Sequence, residues 1–317
     1  MLKTDNVLLS IIVLCYNQEH YITQTLDSIV NQDSDFNFEL IVADDCSSDG
    51  TRAIIESYYN KYPTVIRKVF NKNNLGVVAN YFNAVGLCSG KYIMCCGGDD
   101  YWLPNKVSRQ IRYLEHNPDV GMLCGYARFY NENLHSFENK LYGLPNVSYE
   151  NLILENPICA ATVCYRRELI LDYIEKVKPL ERGWLLEDYP MWLWFSLKSK
   201  IVFDEHIYAI YRRVSGSITH QKDISKKLNF QRSVSEVSWF FANNDKTKAA
   251  VKDCYYKNIA DIMYNYGLFD ESLYFFKKCN VKKQEFLTCI KYLSAYIPGV
   301  RVICRHLYLK TFKDILM

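Results

Sequence analysis

The chain has 317 residues, 49% of them apolar or aromatic, and a formal net charge of +3. That length and apolar fraction predict a globular chain with room for an α/β core and a smaller second unit, and the near balance of charge excludes a sequence-independent electrostatic grip on nucleic acid. The twelve cysteines include no Cys-x-x-Cys pair, and Cys15, Cys95, Cys96, Cys124 and Cys164 lie in apolar stretches. Buried free thiols in a reducing compartment fit this better than a disulfide framework or zinc. The apolar run from Val7 to Tyr16 is about half as long as a membrane span and lacks the flanks of a signal peptide, so a cytosolic chain is expected.

Val7 to Leu14, almost continuously apolar and rich in β-branched residues, reads as a strand buried on both faces of a parallel sheet. Asn17 is placed to cap a helix that carries Ile22, Leu26, Ile29 and Val30 at helical spacing. A second buried strand runs from Phe38 to Ala43. The turn- and cap-rich segment Asp44 to Thr51 then leads into a helix with Ile54, Ile55, Tyr58 and Tyr59. Val65 to Phe70 is a third strand, Gly76 to Cys88 a third helix and Lys91 to Cys96 a fourth strand. This βαβ rhythm predicts an α/β fold with a mostly parallel sheet and helices on both faces, whose ligands bind beyond the strands' carboxyl ends.

Past Pro104, a helix with Val107, Ile111 and Leu114 stops at Asn117-Pro118, and Val120 to Tyr130 alternates as a strand does. Asn133 to Asn156 is polar and turn-rich and reads as a mobile loop. Ile158 to Tyr165 is expected as a strand, Glu187-Asp188-Tyr189-Pro190 opens an aromatic helix through Leu197, and Ile201 to Tyr211 supplies one or two closing strands. Near Gln221 the character changes to lysine-rich helices, which gives expected domains at residues 1–222 and 223–317. In the second, helices from Ala249 to Tyr266 and from Phe269 to Cys279 meet at Gly267, faintly like one tetratricopeptide unit. The tail from Val281 to Met317 mixes basic and aromatic residues, which suits either helices resting on an anionic membrane surface or a packed helical appendage.

Three clusters fall at the carboxyl edge: Tyr16-Asn17, Asp44-Asp45 and Asp99-Asp100. The last follows the apolar run Tyr92 to Cys96 and the pair Gly97-Gly98. Adjacent carboxylates repel unless they are solvated or share a cation, so Asp99-Asp100 is a candidate divalent metal site, with an ordinary Gly-Asp turn as the plain alternative.

The order and intervals of several segments resemble the family 2 glycosyltransferases, whose GT-A fold binds nucleotide sugars. The segments are Ser10-Ile11-Ile12-Val13-Leu14-Cys15-Tyr16-Asn17, Asp44-Asp45-Cys46-Ser47-Ser48-Asp49-Gly50-Thr51, Asn74-Leu75-Gly76, Gly90-Lys91-Tyr92-Ile93, Gly98-Asp99-Asp100-Tyr101-Trp102-Leu103-Pro104, Glu187-Asp188 and Tyr211-Arg212. They span residues 8 to 217 and leave the helical tail outside. The resemblance implies that Tyr16 lies against the base and that Asn17, Asn80 and Asn83 line the base and ribose pocket. Asp45, with Asp44, accepts the imide N–H of a uracil-like base, since a carboxylate cannot donate to cytosine. Asp99 would bind Mn²⁺ or Mg²⁺, Asp100 would support the metal or meet donor sugar hydroxyls, and Arg212, with Arg213, Ser215 and Ser217, would reach the diphosphate.

The same resemblance makes Asp188 the base that deprotonates an acceptor hydroxyl, with Glu187 beside it on the donor sugar. The chain departs from the pattern at Gly97, where the family often has an acid, and His220 is one residue able to compensate. The function implied is metal-dependent, inverting transfer from a UDP-sugar, or secondarily a dTDP-sugar, to a hydroxyl of a glycan or lipid-linked saccharide in bacterial surface polysaccharide assembly. Peripheral contact with the inner membrane leaflet would fit that setting. A nucleotidyltransferase is disfavoured because Tyr16-Asn17-Gln18-Glu19 lacks glycines and positive charge, and a dehydrogenase because no Gly-x-Gly-x-x-Gly follows a strand. A noncatalytic glycan- or partner-binding protein on a decayed enzyme fold is the remaining alternative, with Gly97 as its best argument.

Overall fold

The computed structural model describes residues 7–214 and 223–279, in two compact units, Met1–Val214 and Ser215–Met317. The first unit opens with β1 (Leu9–Cys15), α1 (Ile22–Val30), β2 (Phe38–Asp44), α2 (Thr51–Lys61), β3 (Ile66–Phe70), α3 (Val77–Val85) and β4 (Tyr92–Gly97). These four strands are parallel in the order β3-β2-β1-β4. Their apolar runs do not alternate because both faces are buried. Leu9, Ile11, Val13, Leu40, Val42 and Met94 join the main core with Ile22, Leu26 and Ile55, while Ile12, Ile41, Ala43 and Ile93 between them are equally shielded from solvent. Each such side chain contributes about 1.5–3 kcal/mol by leaving water. Pairing of Cys15 with Asp44 and of Leu14 with Gly97 aligns the strand ends, so all three polar clusters emerge on one edge.

The sheet continues with β5 (Tyr101–Trp102), β6 (Val120–Asn131), β7 (Ser136–Tyr142), β8 (Cys164–Arg166) and β9 (Lys200–Arg213), interspersed with α4 (Lys106–His116), α5 (Tyr149–Leu152), α6 (Arg167–Val177) and α7 (Asp188–Lys198). Its order is β3-β2-β1-β4-β8-β6-β9-β5, with β7 against β6. β6 and β9 are parallel, whereas β8, β5 and β7 pair antiparallel with their neighbours. The sheet is therefore mixed, and the expectation of a mostly parallel one describes its first half.

Three local expectations change. The strand expected from Ile158 to Tyr165 is mostly a 3₁₀ turn, Ala160–Thr162, followed by the three-residue β8. The Cys159 carbonyl accepts from both the Thr162 N–H (2.9 Å) and its hydroxyl (2.8 Å), and such a local bond draws a Thr out of strand geometry. The segment Asn133 to Asn156 contains β7 and α5. Its polarity is that of an exposed edge strand, which carries charge and few apolar residues. Ile201 to Tyr211 lies in the single strand β9, within the expectation of one or two, and α6 was not anticipated.

The second unit contains α8 (Ile224–Phe241), α9 (Asp245–Asn265) and α10 (Phe269–Phe276). Asp223 caps α8 by accepting from Ser225 N at 2.8 Å, and Asn244 caps α9 by accepting from Thr247 N at 2.8 Å. Gly267, at φ +79°, allows the reversal into α10, where the buried Ser272 hydroxyl donates to the Ala260 carbonyl. Among the described residues no helix is long and apolar enough to cross a membrane. Ser215, Ser217, His220 and the tail from Val281 lie outside the described residues.

Candidate active site

At the end of β1, Tyr16 leaves its ring 49% exposed, so a planar ligand could lie on it. Asn17 does not cap α1, whose first turn begins at Ile22 behind Tyr21. It adopts a left-handed backbone (φ 52°), donates from its N–H to the Ser47 hydroxyl at 2.8 Å and accepts from Ser48 N at 2.8 Å. It thus ties the β1 edge to the loop after β2. Asp44, fully buried, accepts from Arg52 Nε (2.6 Å) and Ser47 N (3.0 Å), an internal ion pair that leaves it little part in meeting a base.

Asp45, buried just past β2, is held differently. Its carboxylate accepts from Asn71 Nδ2 (2.9 Å), Leu75 N (2.8 Å) and Gly76 N (2.8 Å), which pins the loop that starts α3 and leaves about one acceptor position of a carboxylate's four. Asn71 also donates to Asn80 Oδ1 at 2.9 Å, and Asn80 donates to the Ala43 carbonyl at 3.0 Å. Asn80 is therefore a buried brace of the pocket, while Asn83 is exposed on α3. Sequence reading missed Asn71. Its signal was its place just past the third strand, one polar residue before a loop dense in Asn and Gly.

The metal candidates sit over Gly97. A Cβ at Gly97 would lie 2.8 Å from Asp99 Oδ1 and 3.7 Å from Asp100 Oδ2, so both carboxylates reach toward the space that glycine leaves open. Burial pushes both carboxyls above the usual range, and the charge of Asp99 raises Asp100 further. Thr25 anchors the turn by donating to the Gly98 (2.9 Å) and Asp100 (2.6 Å) carbonyls. A dication shared by two desolvated carboxylates would remove the repulsion between them, and the remaining positions of such an ion are commonly filled by phosphate and water. No group of three or more His, Cys, Asp or Glu converges among the described residues. The residues present fit a two-carboxylate cation site.

Arg212 does not extend freely toward a diphosphate. Its N–H donates to Asp100 Oδ1 (2.9 Å), Nη1 to the Asp99 carbonyl (2.7 Å), Nε to Glu132 (3.1 Å) and Nη2 to Gln24. The guanidinium also lies over the rings of Tyr21 and Tyr101 at 5.2 and 5.0 Å. It fixes the metal turn and places positive charge behind it. Arg213 pairs with Glu138 at 3.0 Å and covers Phe129.

Asp188 begins α7, where acids favour the helix dipole. It accepts from its neighbour's backbone, Tyr189 N, at 2.6 Å and from Asn156 Nδ2 at 3.4 Å. Burial raises the Asp188 carboxyl, and burial together with the charge of Asp188 pushes Glu187 up to about 8. Cys159, three residues beyond Asn156, lies within electrostatic reach of both Asp100 and Asp188.

A two-carboxylate turn at the carboxyl edge, a separate raised acid pair and a buried Asp45 that pins the loop before α3 occur together with a family match. The model described as glycosyl transferase family 2 matches residues 10–185. The chain belongs to that family. An uncharacterized protein of Mycobacterium tuberculosis is 33% identical over 67% of this chain and 60% of its own length, so the chain spans about 60% of the curated relatives it first matches. An Escherichia coli protein named as the UDP-Glc:alpha-D-GlcNAc-diphosphoundecaprenol beta-1,3-glucosyltransferase WfgD is 29% identical over 69% of this chain and 82% of its own. Among solved structures, Staphylococcus aureus TarS in complex with UDP-GlcNAc has a TM-score of 0.57 at 19% identity, over 91% of this chain and 79% of that one. That likeness shows the GT-A fold.

Proposed function

We propose that this family 2 member transfers a sugar from a UDP-sugar to a hydroxyl of a saccharide acceptor, inverting the anomeric centre and using Mn²⁺ or Mg²⁺. The observation that supports this reading is the pair of acid clusters, Asp99-Asp100 over Gly97 and Glu187-Asp188 at α7, both within electrostatic reach of Cys159. One pair suits a diphosphate-bound cation and the other suits an acceptor hydroxyl.

The uracil ring lies on Tyr16, and its imide N–H donates to the remaining acceptor position of Asp45. The cation, when bound, neutralises charge gathering on the departing diphosphate. Arg212 holds the Asp99-Asp100 turn in place and adds fixed positive potential behind it. Asp188 removes the acceptor proton while that oxygen attacks the anomeric carbon from the face opposite the phosphate. Burial raises both Asp188 and Glu187, Glu187 to about 8, which suits a carboxylate base of raised proton affinity. The name of the Escherichia coli relative supports a lipid-linked saccharide as acceptor.

Against the noncatalytic alternative, whose best argument is Gly97, Asp99 and Asp100 both reach toward the space beside that glycine. The test is calorimetric titration of UDP, dTDP, GDP and CDP with Mn²⁺ and with chelator, on the wild type and Asp45→Ala. Metal-dependent binding of UDP or dTDP that Asp45→Ala weakens supports the proposal. A folded protein that binds none of them overturns it.

A further inference from the structure

The Asp188 carboxylate is met from one side by its own helix and from the other by the segment Leu152 to Val163, which has no role so far. Its Oδ1 accepts from Tyr189 N at 2.6 Å and its Oδ2 from Asn156 Nδ2 at 3.4 Å. Asn156 and Asp188 are both half-buried, so the pair borders solvent. An amide can present either end to a neighbour, and here its carbonyl end is already committed. Asn156 Oδ1 accepts from Ile158 N at 3.2 Å. That leaves the amino end for Asp188, and a donor there favours the ionised carboxylate over the protonated one.

The surroundings fix Asn156 in place. Pro157 follows it and restricts its backbone to extended conformations. Leu152, Ile153, Ile158 and Cys159, on either side of it, are each at most 2% exposed. The Leu152 carbonyl accepts from the Tyr189 hydroxyl at 2.7 Å, which ties the segment to the residue after Asp188. Past Ile158, the carbonyls of Ala160, Thr162 and Val163 accept from Cys95 Sγ (3.4 Å), Gln110 Nε2 (2.8 Å) and Lys106 Nζ (3.1 Å). Lys106 and Gln110 are fully buried on α4 and bond to each other at 2.7 Å. Burying a lysine and an amide is costly unless they are paired, and here their pairing holds the turn that follows Asn156.

We infer that Asn156 is a positioning residue for transfer, one that holds Asp188 Oδ2 in a fixed orientation and favours its ionised state. This rests on the reading of Asp188 as the base. Asn156 itself makes and breaks no bond in the reaction. At 3.4 Å its contact is long for a charge-assisted hydrogen bond, so its effect is smaller than that of removing the base. The titratable groups within electrostatic reach of Asp188 are Glu187 on the same turn, Cys95 on β4, Cys159 before the 3₁₀ turn and Tyr142 on β7.

The test compares wild type with Asn156→Ala, which removes the donor, and Asn156→Asp, which keeps an acceptor for Ile158 N and replaces the donor with a like charge. Carbon-13 NMR of protein labelled at its aspartate carboxyl carbons follows the titration of Asp188 without any substrate, with Asp188→Asn assigning the signal. The Asp188 titration is expected to move up by about half a unit to one unit in Asn156→Ala and further in Asn156→Asp. In transfer from UDP-glucose to a short-chain GlcNAc-diphospholipid, the acid limb of the kcat–pH profile should move with it and kcat at neutral pH should fall about three- to tenfold. UDP affinity with Mn²⁺ should stay within about twofold of wild type. A titration that neither variant moves overturns the assignment, and if Asp188→Asn is inactive in the same assay the base reading stands without it. A titration that moves while the kinetic limb does not overturns the positioning role together with the reading of Asp188 as base.

Discussion

Two groups of buried acids lie along the same sheet edge and are treated oppositely by their surroundings. Asp44 and Asp45 are well supplied, with Arg52, Asn71 and the backbone N–H groups of Ser47, Leu75 and Gly76 all donating within 3.0 Å. Asp99, Asp100, Glu187 and Asp188 have few donors for the same loss of water, and all four are pushed up. Well-supplied carboxylates stabilise a pocket's shape. Undersatisfied ones cost stability until a cation or a proton arrives, which is how a site trades stability for chemistry.

Breaking the base pair should have the largest effect. Asp188→Asn is expected to lower kcat by about 10²–10⁴ while calorimetric UDP affinity is unchanged, the range general-base removal usually costs. Asp99→Ala should come next, abolishing the Mn²⁺-dependent part of UDP binding. UDP titrations with and without chelator that coincide in the variant and differ in wild type are the expected result. Asp45→Ala tests the well-supplied group. It leaves Leu75 N and Gly76 N without their acceptor, so it should lower stability by about 1–3 kcal/mol in denaturant melts and also reduce UDP affinity. The joint loss separates it from Asp99→Ala, which should not destabilise.

The contrast explains what was legible from sequence. Strands buried on both faces announce themselves by continuous apolar runs, and β1, β2 and β4 were readable to within two residues. Short polar segments at their ends followed directly. The second half of the sheet was harder because β7 is an exposed edge whose residues look like a loop, and because the Thr162 hydroxyl turns an apolar segment into a 3₁₀ helix. The acids were visible as residues, but their state was not. Sequence placed Asp44 beside Asp45 as equals, and only the Arg52 partner eight residues on distinguishes them. Arg212 was expected to reach the diphosphate, and instead its N–H and guanidinium are held by Asp100, Glu132, Asp99 and Gln24.

The smallest expected effect lies in how stability depends on pH, and it tests the undersatisfied group without any ligand. The folded-state pKa of Glu187 is raised from 4.5 to about 8, with burial the larger cause and Asp188 the second. Between those values the folded chain holds a proton that the unfolded chain has released, so stability falls as pH rises from about 4.5 toward 8 and levels off above. Glu187→Gln removes the ionisable group but keeps its shape and hydrogen-bonding capacity. In thermal melts with chelator its Tm should match wild type near pH 5 and exceed it by a few degrees at pH 8. A variant that loses Tm equally at both pH values would mean that Glu187 is satisfied in the fold, like Asp44.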